Sequence, residues 1–128
     1  MKGEIDTERV LCEVDDLAEH PCREFRVGAG PWPLSGFLVR KGDDIHAYVN
    51  RCPHAGHPLN IRPDRFLTPD RSLIVCCSHG ALFEMETGRC VSGPCAGMGL
   101  RPLAVRVQHG YVMLSEDVPL EEPPDLGR

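Results

Sequence analysis

Aromatic residues are scarce in this chain: one tryptophan, two tyrosines and four phenylalanines among 128 residues. No apolar run reaches the length of a signal peptide or a membrane span, and the acidic opening MKGEIDTERVLCEVDD holds no twin-arginine pair. The sequence alone therefore predicts a cytoplasmic protein without a membrane partner. Dense runs of lysine and arginine are also lacking, and almost no aromatic side chain is interleaved with the basic residues, so nucleic-acid binding has no support. Helical periodicity is missing as well: no segment keeps an apolar face for three turns, and 15–19 is the best short candidate. There is no internal repeat, and the length suits one domain with a modest core.

Turn-forming residues are abundant by contrast, with 13 glycines and 12 prolines. Together with short alternating runs at 10–14, 25–27, 36–39, 45–49, 73–75, 103–107 and 111–114, they predict a mainly β protein. Lys41-Gly42-Asp43-Asp44, Glu86-Thr87-Gly88 and His109-Gly110 read as hairpin turns between such runs. The acidic, proline-rich segment SEDVPLEEPPDLGR at 115–128 offers little apolar surface to offset the entropy of ordering it, and is predicted to be disordered. The ordered domain is therefore expected to span 1–114. The net charge of −5 is uneven: 1–24 and 115–128 are acidic, whereas 25–114 is mildly basic. Arg51, Arg62, Arg65, Arg71 and Arg89 could steer an acidic protein partner towards the middle of the chain, or simply form a solvated surface.

The cysteines number seven, so at least one is unpaired, and in a reducing compartment metal ligands and thiols are expected before disulfides. Two boxes concentrate them, CPHAGHPL at 52–59 and CCSHGALF at 76–83. Cys52 and His54 lie two apart, Cys76 and His79 three apart, and 21 residues separate the pairs. Two Cys-and-His pairs from separate loops make a four-ligand site. Pro53, Pro58, Gly56 and Gly80 allow tight turns whose amides can point at an anionic centre.

This pattern, C-x-H then C-x-x-H with glycine two after the first histidine and directly after the second, resembles the Rieske [2Fe–2S] family. Gly88 and the Ser92-Gly93-Pro94 stretch, which looks like the proline-containing loop over the cluster, extend the resemblance across about residues 10–114. The spacer between the boxes, carrying Asn60 to Arg71, is a few residues longer than the family leads one to expect. The resemblance implies an antiparallel β sandwich or barrel with a small cluster-binding subdomain formed by two loops, at about 50–97. It also implies one [2Fe–2S] cluster per chain, with Cys52 and Cys76 on the inner iron and His54 and His79 on the outer. Neutral imidazoles in place of two thiolates raise the potential above that of an all-cysteine cluster.

Respiratory members of the family carry a disulfide between the loops, at the positions of His57 and Ser78 here. They also carry serine and tyrosine hydroxyl donors where this chain has Ala81 and Phe83. Their absence predicts a potential near the low end of the Rieske range, roughly −150 mV. The chain thus resembles soluble Rieske-type ferredoxins and the small subunits of nitrite reductase. The implied role is a one-electron carrier without catalytic residues of its own, accepting from a flavin-dependent reductase and donating to an oxygenase or reductase. Two rival readings stand: a structural zinc site on the same four residues, and a cluster-bearing sensory or assembly module of a larger complex. Cys77 lacks the three-residue spacing to His79. Cys90 and Cys95 flank the cluster cover and are expected as buried thiols, Cys12 and Cys22 as small core or surface residues. His57 is expected to be structural or solvent-facing, with potential tuning as the alternative.

Overall fold

The computed structural model describes residues 7–53, 57–77, 80–95 and 97–121. In chain order the elements are β1 (Val10–Glu13), α1 (Asp16–Glu19), β2 (Cys22–Val27), β3 (Leu34–Lys41), β4 (Asp44–Val49), β5 (Leu73–Val75), β6 (Leu82–Glu84), β7 (Cys90–Ser92), β8 (Pro102–Leu103), β9 (Val105–Gln108) and β10 (Tyr111–Leu114). They form three antiparallel sheets with strand orders β1-β10-β9, β2-β3-β4-β8 and β5-β6-β7. The mainly β prediction holds, and α1 is the single turn foreseen near 15–19.

The four-stranded sheet is the middle layer, and the period of two along its strands explains why. On β3 and β4, Leu34, Leu38, Ala47 and Val49 point to one face, where they join Cys12, Leu17, Val112, Leu114 and Val118. Phe37, Val39 and Tyr48 point to the other, where they join Cys52, Phe66, Ile74, Cys76 and Phe83. A strand covered on both faces needs apolar residues at consecutive positions, and Phe37, Leu38 and Val39 are all fully buried. The sheet β5-β6-β7 thus packs on the far side of the middle layer from β1-β10-β9, and carries the second box at its start.

Turn chemistry sets the hairpins. His109 and Gly110 have φ of 53° and 80°, and Gln108 pairs with Tyr111, so the β9–β10 link is a two-residue turn with both residues left-handed. The run expected as one strand at 103–107 is two: β8 pairs with β4, β9 with β10, and the chain steps between sheets at Ala104, whose carbonyl accepts from Ser115 N–H at 2.9 Å. Disorder was also expected from 115 onwards, and the structure corrects this for 115–121. Val118 is buried, Leu120 packs beside it, and the Arg9 guanidinium donates to the carbonyls of Ser115 and Val118 at 2.8 and 2.7 Å. Composition underestimated the segment because two apolar side chains and one arginine suffice to anchor it; 122–128 lie outside the described residues.

The long spacer runs from the first box to β5. It turns back over β2, where Asn60 Nδ2 and Asp64 N–H donate to Glu24 Oε1 at 3.0 and 3.3 Å, Glu24 N–H donates to Asp64 Oδ1 at 2.8 Å, and Cys22 Sγ donates to Asp64 O at 3.0 Å. Phe66 anchors it from inside, stacked on Phe37 with ring centroids 4.2 Å apart and planes 7° from parallel. Burial pushes the Cys22 thiol up, as it does that of Cys12, which reaches about 11.

Tyr48 ties the middle sheet to the β6–β7 turn through a hydrogen bond from its hydroxyl to Met85 O at 2.7 Å. Replacing Tyr48 by phenylalanine leaves that buried carbonyl without its donor and is expected to cost about 1–3 kcal/mol in denaturant unfolding. Burial first, then Glu86 and Glu84, push the phenol from 10.0 to about 12. The unfolded chain therefore releases this proton near pH 10 while the folded chain keeps it, and stability falls as pH rises from 10 to 12. A melting series across that range should show a shallower fall for Tyr48→Phe than for the wild type.

Candidate metal centre

Both boxes fold into loops built the same way. Cys52 N–H donates to His57 O at 2.7 Å, and Cys76 N–H donates to Ala81 O at 2.9 Å, so each cysteine opens a six-residue loop closed by a bond from its own amide to the carbonyl five residues on. Pro53 in the first loop and Gly80 in the second, the latter at a φ of 72°, suit so tight a return. A further bond joins the loops, from Cys77 N–H to Leu59 O at 2.8 Å, and Gly80 N–H returns to Cys76 O at 2.8 Å. The cysteines at the two loop entrances, Cys52 and Cys76, are both wholly buried within the core that also holds Phe37, Tyr48, Phe66 and Phe83. Their histidine companions in the sequence pattern, His54 and His79, lie outside the described residues, so the structure places the cysteine half of the proposed ligand set.

Asn50, which the sequence reading passed over, braces the first loop. This buried side chain accepts from Leu59 N–H at 2.9 Å and donates to Asn60 Oδ1 at 3.0 Å, while its backbone N–H donates to Ser35 O at 3.0 Å. It connects the end of the loop to β3. The only sequence signal was an asparagine directly after a strand, too common a feature to single out.

The other singled-out residues separate clearly. Cys76 is buried whereas its neighbour Cys77 is exposed, and in the loop Cys77 contributes an amide. His57 is half-buried, closes the first loop through its carbonyl, and has Nδ1 2.8 Å from Pro58 O; since a carbonyl only accepts, Nδ1 carries the proton. Ala81 and Phe83 are wholly buried and bring no hydroxyl. Cys90 Sγ donates to Ser92 O at 3.2 Å, and Cys95 lies not beside Cys90 but beside Cys52, with the sulfurs 3.8 Å apart. Arg62, Arg65 and Arg71 belong to the spacer over β2, where Asp64, Arg65 and Arg71 border a cleft of about 530 Å³ with His20, Pro21 and Cys22. None of the residues bordering that cleft comes from either box.

Two soft sulfur donors, buried at the mouths of equivalent loops and shielded from water by aromatic and aliphatic side chains, fit the thiolate-bound iron of an iron–sulfur cluster. No helix among the described residues is long and apolar enough to cross a membrane.

Comparison with known proteins agrees with this geometry. Ferredoxin CarAc of Metapseudomonas resinovorans is 30% identical over 106 residues, which is 82% of this chain and 90% of that protein. Apoptosis-inducing factor 3 of mouse and of human is 33% identical over 81 residues, 63% of this chain, and the match spans only 12% of those longer proteins. The solved complex of reduced oxygenase and oxidized ferredoxin in carbazole 1,9a-dioxygenase contains a chain that superposes with a TM-score of 0.63 at 26% identity, over 83% of this chain and 99% of that one. The profile of the Rieske [2Fe-2S] domain matches residues 7–117. The chain therefore belongs to the Rieske [2Fe–2S] domain family, and its cofactor is a [2Fe–2S] cluster.

Proposed function

We propose that this protein is a one-electron carrier of the soluble Rieske ferredoxin type, in which Cys52 and Cys76 hold the inner iron and His54 and His79 the outer. The observation that carries the reading is the pair of matched loops: each places a buried cysteine at its entrance, and a cross-bond from Cys77 to Leu59 holds the two together. When bound, the cluster supplies a reversible one-electron change. The chain provides the surroundings: Leu59, Phe83, Leu100 and their neighbours exclude water from the cysteine side. Pro58, Cys77, Gly80, Pro94 and Met98 leave the outer rim exposed, so a partner can approach closely on that side.

The acceptor is an oxygenase or reductase, by analogy with the oxygenase–ferredoxin complex among the structural relatives, and the donor is a flavin-dependent reductase. The carrier itself performs no bond-making chemistry. The protein purified anaerobically is expected to be red-brown, to contain two irons and two acid-labile sulfides per chain, and to give a rhombic electron paramagnetic resonance signal on reduction. One zinc and no sulfide would overturn the reading in favour of a structural site. Because Ala81 and Phe83 bring no hydroxyl to the loops, redox titration is expected to give a potential near −150 mV, at the low end of the Rieske range. A clearly positive value at neutral pH would contradict it. Stopped-flow reduction by a flavoprotein reductase separates a carrier, which exchanges electrons rapidly, from a sensory or assembly module, which does not.

A further inference from the structure

A third loop reaches the site from outside both boxes. After β7 the chain folds back, with Met98 N–H donating to Cys95 O at 2.8 Å and Cys90 N–H donating to Met98 O at 3.0 Å. The loop presses directly on the second box: a Cβ added at Gly93, where φ is +100°, would lie 2.8 Å from Ala81 Cα, so only glycine permits the approach. Held in this way, the Cys95 side chain is wholly buried in the same core as Cys52 and Cys76, with its sulfur 3.8 Å from Cys52 Sγ.

We propose that Cys95 is a positioning residue for the cluster's electronics: its S–H donates a hydrogen bond to Cys52 Sγ and raises the reduction potential above the value the two boxes alone would set. The inference rests on Cys52 being a ligand. A sulfur bound to iron as thiolate has no proton and can only accept, so in this pair the donor is Cys95. Reduction places additional negative charge on the cluster and its sulfurs, so a donor aimed at one of them stabilises the reduced form more than the oxidised form. Ala81 and Phe83 offer no such donor, and Cys95 supplies one from a different direction. It stands 43 positions from Cys52 in the chain.

The test is spectroelectrochemical titration of the cluster-loaded wild type, Cys95→Ala and Cys95→Ser. At a fixed applied potential, the alanine variant should show a reduced-to-oxidised ratio about threefold to tenfold lower, tenfold being about 59 mV for one electron. The serine variant, with a stronger O–H donor, should match or exceed the wild type. Reduced protein exchanged into D2O should also show, by pulsed electron paramagnetic resonance, a deuteron coupling that persists in Cys95→Ser and is lost in Cys95→Ala. Equal potentials for alanine and wild type, or equal downward shifts for alanine and serine, would overturn the proposal, the latter by showing a packing effect. If the alanine variant does not retain its cluster, a potential below wild type in Cys95→Ser is the overturning result. Failure of the ligand assignment looks different: Cys52→Ala would then keep its two irons and its visible spectrum.

Discussion

Replacing Cys76 by alanine is expected to yield a colourless protein lacking both iron and sulfide, whereas the same change at Cys77 leaves the cluster and its spectrum in place. The two residues are adjacent and chemically identical, so the contrast isolates position. Cys76 is wholly buried within the core and Cys77 is exposed, because the cross-bond from Cys77 N–H to Leu59 O turns the chain at that point. Only the inward thiol is shielded from water and faces the same core as Cys52. A cluster that binds the folded loops and not the unfolded chain stabilises the fold by mass action, so Cys76→Ala should also melt at lower temperature than Cys77→Ala. Iron and sulfide analysis with a visible spectrum decides the matter; a colourless Cys77→Ala beside a coloured Cys76→Ala would reverse the ligand assignment.

The second large effect lies away from the loops. Phe66→Ala is expected to lower unfolding stability by about 3–5 kcal/mol, as deletion of a wholly buried aromatic ring does when the cavity cannot collapse. Phe66 stacks on Phe37 of the middle sheet, and its carbonyl accepts from Val75 N–H at 2.8 Å, directly before Cys76. Losing the ring frees the inner end of the spacer and weakens the strand that leads into the second box. The variant should therefore lose its cluster faster on mild heating than the wild type. Ile61→Ala, in the same spacer but 75% exposed, serves as the control and should change stability by no more than about 0.5 kcal/mol. Urea titration measures both; a loss below about 1 kcal/mol for Phe66→Ala would show that the stack is not what holds the spacer.

The spacer shows where sequence reading reached its limit. Its extra length is visible in the sequence, but its course is not. Its actual course depends on Glu24 accepting from Asn60 and Asp64, pairs 36 and 40 positions apart, which no local pattern encodes. The tail tells a similar story at smaller scale: proline and acidic residues argued for disorder from 115, but Val118 found a cavity beside Leu34 and Leu114 that exists only once the sheets have packed. The split of 103–107 into β8 and β9 was hidden for the same reason, because alternation continues through Ala104 while the partner strand changes from β4 to β10.

What the amino-acid sequence determined by itself is what short-range chemistry controls. Alternating side chains specify strands, His109-Gly110 specifies a left-handed turn, and cysteine and histidine at spacings of two and three nominate Cys52, His54, Cys76 and His79 as a ligand set. Only the tertiary structure decided which of two adjacent cysteines is turned inward, that Asn50 braces the first loop, and that Cys95 rests against Cys52 rather than Cys90. Each of those outcomes comes from burial and from contacts between segments distant along the chain, and these arise when a middle sheet is covered on both faces at once.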